Sequence, residues 1–169
     1  KVFKRYCIDK AWRAERPGRG RYREFYQCDI DTIGSSSNLV EVETFLALAE
    51  ALKCFNLTNL SLKISSRDFL KNFLESFGIQ DVKTFMTCLD KQDKIGFEGV
   101  VEELKSKGID EEISKKILNT LNDEIEFEKY CNDKPEILNI VNQVSEIINL
   151  AKPFLSDINV YFCKTLVRG

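Results

Sequence analysis

Trp12-Arg13-Ala14-Glu15-Arg16-Pro17-Gly18-Arg19-Gly20-Arg21-Tyr22-Arg23-Glu24-Phe25-Tyr26-Gln27-Cys28-Asp29-Ile30-Asp31 is the stretch on which the reading of this chain turns. Its middle, Arg16 to Gly20, has loop composition, with Pro and Gly as the breakers. Residues 1–13 read as a strand with Val2, Tyr6, Ile8 and Trp12 on one side. Tyr22 to Ile33 reads as a second strand, and the two predict an antiparallel hairpin. Side chains alternate between faces along a strand. Odd positions of the second strand give Arg21, Arg23, Phe25, Gln27, Asp29 and Asp31; even positions give Tyr22, Glu24, Tyr26, Cys28, Ile30 and Thr32. One face is mostly apolar or amphipathic. The other runs from cations through an aromatic ring and an amide to carboxylates. A solvated face accounts for polarity but not for that order. The order suits a zwitterionic ligand lying along the strand, with phosphate at the arginines and an amine at Asp31; on parity alone Asp29 serves as well.

The charge balance supports this focus. The chain carries 25 Lys and Arg against 27 Asp and Glu, a net charge of −2. Residues 1–24 alone hold nine cations against three acids, and six of the eight arginines lie there. Arginine is the side chain suited to bidentate phosphate recognition. With 169 residues, 43% hydrophobic and 31% charged, the chain is long enough for one compact domain with room for a small second lobe. The absence of histidine excludes histidine triads and histidine metal sites within this chain. Six scattered cysteines without a C-x-x-C pair read as small hydrophobes, and no metal site is predicted. No apolar run reaches membrane-spanning length, and Lys1, Lys4 and Arg5 interrupt any apolar signal core. Together with the unpaired thiols, this predicts a cytoplasmic protein without membrane association.

Outward from the hairpin, Ser35-Ser36-Ser37-Asn38 signals a helix start, followed by Val42, Phe45, Leu46, Ala49 and Leu52 at helical spacing. Leu60, Leu62 and Ile64 alternate with polar residues and predict a short strand. Leu70, Phe73, Leu74 and Phe77 mark a second helix that stops at Gly78. Val82, Phe85, Met86 and Leu89 mark a third. From Phe97 to Ile148 the pattern is helical, with breaks at Gly108 and at Cys131-Asn132-Asp133-Lys134. Ile158 to Val167 reads as a closing strand. The predicted class is α/β (α+β): an antiparallel sheet with flanking helices and a small inserted helical domain.

Three segments give a family likeness. Trp12 to Pro17 followed by Gly20 to Asp31 resembles the second signature motif of class II aminoacyl-tRNA synthetases, in the form found in the histidyl-tRNA synthetases. Leu89-Asp90-Lys91-Gln92-Asp93-Lys94-Ile95 is similar to that family's D-K-x-D-K segment. Leu166-Val167-Arg168-Gly169 is similar to the opening of its L-V-R-G-L-D-Y-Y motif. The arginine-rich motif is highly specific; the other two are weak alone. The resemblance implies ATP-dependent activation of L-histidine to histidyl-adenylate, then transfer to tRNA(His). It implies that Arg13 bridges the α-phosphate and the amino-acid carboxylate, Glu15 meets the adenine amino group, Arg21 holds the terminal phosphates, and Phe25 stacks on adenine. Gln27 and Asp31 would bind histidine, and Arg168 would support the α-phosphate, so Arg13 and Arg168 are the catalytic candidates. Mg2+ would accompany ATP, with no ligands identifiable. A division follows: residues 1–90 as a portion of the catalytic core, 91–150 as an inserted helical domain on the acceptor-stem side, and 151–169 as the return strand.

The family's first and third motifs and its anticodon-binding domain have no counterpart in the 169 residues. The expectation is a fragment of a longer, homodimeric parent, inactive in isolation. Two rivals stand beside the ligase reading. One is a non-catalytic synthetase paralogue, such as an ATP phosphoribosyltransferase regulatory subunit or the synthetase-like domain of a stress-sensing kinase. The other is an RNA-binding module built on the arginine-rich hairpin. Lys105, Lys107, Lys115 and Lys116 are candidate phosphate contacts in the helical lobe. Asp90, Lys91, Asp93 and Lys94 read as a surface salt-bridge cluster.

Overall fold

A computed structural model describes residues 1–57, 59–155 and 158–167. The hairpin is present. Strand β1 (Phe3–Trp12) pairs antiparallel with β2 (Glu24–Ile33), from Phe3 opposite Ile33 to Trp12 opposite Glu24. The pairing is symmetric about Gly18. It extends to Arg13, whose N–H donates to the Arg23 carbonyl at 2.9 Å; within the loop Gly18 and Arg21, off that register, exchange two bonds at 3.0 Å. Gly20 closes the loop with φ +73°, a left-handed conformation that costs glycine little.

Helix α1 (Asn38–Lys53) begins where Ser37 accepts the Leu39 N–H. Strand β3 (Leu60–Ile64) follows, then α2 (Arg67–Ser76), capped by Ser66, and α3 (Val82–Leu89), capped by Asp81. Four more helices complete the block: α4 (Gln92–Ser106), α5 (Glu111–Asn122), α6 (Glu124–Asn132) and α7 (Pro135–Ala151). The chain returns through a 3-10 turn to β4 (Ile158–Phe162).

Three details differ from the sequence reading. First, β3 and β4 pair in parallel, Leu60 opposite Ile158 through Ile64 opposite Phe162. The intervening helices form the long crossover that parallel neighbours require. Second, β4 stops at Phe162 rather than Val167, because β3 ends at Ile64; the last ladder-like bond is from the Cys163 N–H to the Ile64 carbonyl, 2.7 Å. Third, the helical stretch breaks at Asp123, whose extended backbone ends α5 and whose carboxylate caps α6 by accepting the Glu126 N–H. Cys131 and Asn132 remain inside α6, and Cys131 is buried. Periodicity does not register a single capping aspartate in an already polar stretch. Within α4, Gly96 adopts φ 71°, ψ −179°, so the helix proper runs from Phe97.

Two cores form. One unites α2 through α6 around Phe69, Phe73, Phe85, Leu104 and Leu118. Phe69 is fully buried, its ring 5.5 Å from Phe73, 5.7 Å from Phe127 and 5.1 Å from Phe162. The other packs α1 and α7 on β3 and β4 through Val42, Ala49, Ile64, Val144, Ile148 and Val160. Phe162 touches both cores, and α7 gives Ile137 to the first and Val144 to the second. The helical block is therefore clamped to the parallel strand pair through α7 and β4. The hairpin lies outside both cores, tied to α1 by the Lys4–Glu43 ion pair at 2.5 Å.

All six cysteines are free. Cys88 and Cys131 are buried, and burial pushes the Cys131 thiol up to about 11. Cys7, Cys28 and Cys54 are exposed, against the reading of all six as semi-buried; the first two lie on a hairpin whose two faces are both largely open. Among the described residues no helix is long and apolar enough to cross a membrane.

The lobe carries an acid-sensitive contact. Glu111, at the start of α5, accepts hydrogen bonds from Lys105 at 2.6 Å and Lys115 at 2.7 Å. These ammonium groups, Lys105 first, hold its carboxyl at about 2, below the usual 4.5. A lowered carboxyl stabilises the fold above its unfolded-state value and loses that contribution as pH falls through its folded value. Glu111→Gln is therefore expected to flatten the pH dependence of the urea midpoint between pH 4.5 and about 2. An unchanged slope in the variant would remove this assignment.

Candidate functional site

The antiparallel register puts directly opposed residues on the same face. Arg5, Asp9, Phe25, Gln27, Asp29 and Asp31 therefore share one side of the hairpin. Arg13, just past β1, joins them: its guanidinium donates to Gln27 Oε1 at 2.9 Å and lies 5.1 Å from the centre of the Phe25 ring. The Gln27 amide in turn donates to both Asp29 carboxylate oxygens at 2.7 Å. Arg13, Phe25, Gln27 and Asp29 form one connected row. Phe25 and Gln27 are half-buried, whereas the rest of the row is exposed.

The loop end of this face forms an open cleft of about 280 Å³, lined by Arg13, Glu15, Gly20, Arg21, Tyr22 and Phe25. Arg21 pairs with Glu15 at 3.4 Å, and the Arg23 Nε donates to the Glu15 carbonyl at 3.2 Å. Sites that bury a whole drug-sized ligand span about 300–1,000 Å³. At about 280 Å³ this open cleft lies at the lower end of that range.

Asp31 lies on the same face as Arg13 but not beside it. It accepts from the Arg5 Nε at 2.7 Å, at the opposite end of the hairpin. At ~3.3 Å per strand residue, the Gln27-to-Asp31 step alone is about 13 Å. The carboxylate brought next to Gln27 is Asp29. Arg5, as the partner of Asp31, was not anticipated, nor was Asp9 opposite Gln27. Both follow once the loop centre is placed at Gly18, because the hairpin register then fixes every pair. Arg16 and Arg19 stay exposed in the loop. Arg168 lies outside the described residues.

The opposite face carries Tyr6, Ile8, Trp12, Tyr26 and Ile30, all exposed. Glu24 accepts from Lys10 and from the Trp12 indole, both at 2.8 Å, and these bonds, Lys10 first, lower its carboxyl below the usual range. The other two sequence segments meet each other rather than the hairpin. Asp90, Gln92 and Asp93 share a cavity of about 80 Å³ with Thr165, Leu166 and Val167. Lys91 bonds Glu103 of α4, outside the Asp90-to-Lys94 cluster.

The structure aligns with the crystal structure of histidyl-tRNA synthetase from Nostoc sp. PCC 7120 at a TM-score of 0.81, covering 99% of this chain and 41% of that one at 24% identity, a likeness of fold. By sequence, the histidine–tRNA ligase of Christiangramia forsetii is 50% identical over 119 residues, 68% of this chain and 25% of the relative. That of Korarchaeum cryptofilum is 34% identical over 175 residues, 99% of this chain and 40% of the relative. Residues 2–169 match the family described as histidyl-tRNA synthetase, and the chain belongs to that family. It spans between a quarter and two fifths of the length of these curated relatives.

Proposed function

We propose that this chain is part of a histidine–tRNA ligase, contributing the hairpin that activates histidine with ATP before transfer to tRNA(His). The observation that carries the reading is the connected row on one hairpin face: Arg13 on the Phe25 ring, Arg13 to Gln27, and Gln27 to Asp29. It places a fixed cation between a stacking platform and an amide–carboxylate pair. That is the order needed for adenine, α-phosphate and amino acid laid end to end.

Attack of the histidine carboxylate on the α-phosphate depends on alignment and on neutralising charge that builds in the transition state. Arg13 can bond the α-phosphate and the attacking carboxylate together, lowering their repulsion. Phe25 orients adenine, Glu15 accepts from its amino group, and Arg21 takes the terminal phosphates. Gln27 and Asp31 bind histidine, with Asp29 adjoining Gln27. Arg168 is proposed to support the α-phosphate in the transfer. The existing contacts act as stand-ins: Arg21 holds Glu15 and Arg5 holds Asp31. Exposed, solvent-screened pairs of this kind contribute little, so substrate replaces them at little cost.

Mg2+ is proposed to arrive with ATP, on its phosphates. Residues 91–150 are proposed as the inserted domain facing the acceptor stem, between core segments 1–90 and 151–169. The whole protein is proposed to be a cytoplasmic homodimer. Histidine-dependent ATP–pyrophosphate exchange by the full-length protein, run against the other amino acids, tests the reading. Exchange is expected with histidine alone. Stimulation by a different amino acid, or by none, sinks the histidine assignment and favours a non-catalytic paralogue.

A further inference from the structure

Asp9, Glu15, Asp29 and Asp31 are the carboxylates of the ligand face and its loop cleft. Glu15 pairs with Arg21, Asp29 accepts the Gln27 amide, and Asp31 pairs with Arg5. Asp9 differs. Among the described residues its carboxylate accepts only the backbone N–H of its neighbour Lys10, at 2.7 Å on Oδ1, and Oδ2 has no partner. The Lys10 ammonium is turned to Glu24 on the other face, and Arg13 is held by Phe25 and Gln27. The register fixes where this acid stands. Asp9 is directly opposite Gln27. Such partners keep their Cβ atoms about 4.5–5.5 Å apart, so the Asp9 carboxylate borders the same space as the Gln27 amide.

An unpaired carboxylate is out of place on a face that receives ATP. It repels the phosphates and the attacking carboxylate, most strongly where water is excluded. That cost is offset once the acid meets a donor on the ligand. In the proposed arrangement the adenine amino group goes to Glu15 and the α-ammonium to Asp31. The ribose hydroxyls stay between adenine and the α-phosphate, hence between Phe25 and Arg13. Asp9 lies beyond Arg13, at the amino-acid end of the row, where the donor left over is the ring N–H of the histidine side chain.

We infer that Asp9 is a specificity-determining residue of the amino-acid site, accepting the imidazole N–H of the substrate opposite Gln27. This deepens the ligase reading and rests on it. An apolar side chain of similar size leaves the acid without a partner and is rejected for that reason. The test is ATP–pyrophosphate exchange by the full-length protein, with histidine and with its two ring N-methyl derivatives. Asp9→Ala is expected to raise KM for histidine about tenfold, the loss that goes with one hydrogen bond to a charged group. KM for ATP and kcat are expected to stay near wild type. Asp9→Asn, which keeps an acceptor oxygen, is expected to recover part of the loss. The wild type is expected to discriminate against the derivative whose methyl replaces the N–H facing Asp9, and Asp9→Ala to narrow that discrimination about tenfold. A merely structural role would leave this ratio unmoved. Exchange by the wild type with an unchanged KM for histidine in Asp9→Ala overturns the inference and keeps the ligase reading. So does an equal rise in KM for ATP, or unaltered discrimination against both derivatives. Absence of exchange by the wild type removes the ligase reading. Calorimetric titration of histidine into wild type and Asp9→Ala then decides the contact separately, and equal affinity, or no binding by either, overturns it.

Discussion

Arg13→Ala in the full-length protein is expected to slow histidine-dependent ATP–pyrophosphate exchange on the order of a hundredfold or more. Removing one preorganised charge-assisted donor from a transition state costs roughly 2.7–4 kcal/mol. Arg13 is proposed as such a donor; the Phe25 ring and Gln27 Oε1 already hold its guanidinium. Arg13→Lys is not expected to restore the rate, since an ammonium cannot bond phosphate and carboxylate in one plane. Arg16→Ala, exposed in the loop, is the matched control and should stay near wild type. The same loss is expected for Arg168→Ala. If exchange stayed within about threefold of wild type for Arg13→Ala and Arg168→Ala alike, the assignment would be wrong.

Phe69→Ala is expected to destabilise the chain by about 3–5 kcal/mol, measured as a fall in the urea midpoint. Phe69 has no exposed surface and meets the rings of Phe73, Phe127 and Phe162. Those neighbours come from α2, α6 and β4, so the vacated space cannot close by shifting one element. The loss is a large share of a typical stability of about 5–15 kcal/mol. Phe55→Ala is the contrast, because Phe55 is 72% exposed. A cost below ~1 kcal/mol at Phe69 would mean that this core is not the one that holds the lobe together.

The hairpin was legible because its information is local. Pro17 and Gly18 set the loop, and alternation assigned Arg21, Phe25, Gln27 and Asp31 to one face. Asp29 was visible only as an option. Its bonds to Gln27 depend on side-chain reach along the strand rather than on parity. Asp31 shows the complementary limit. Parity put it on the right face, yet its nearest charge is Arg5, twenty-six residues earlier in the chain.

The helical lobe divides in the same way. Apolar stripes announced Leu70 and Phe73 as core, and both are buried. The break at Asp123 was hidden, because one capping carboxylate replaces a single backbone partner and leaves no periodic mark. Lysine counts pointed to Lys105 and Lys115, whereas their charge is spent on Glu111.

What the residues alone determined were the elements, the arginine-bearing hairpin, its two faces and the family it belongs to. Those depend on torsional preference and on periods of two and 3.6, which a chain carries at every point. The packed structure decided that β3 and β4 run parallel and that α7 serves two cores. Each of these is a pairing between residues far apart in the chain. Its energy exists only once burial has brought the partners within a few ångströms.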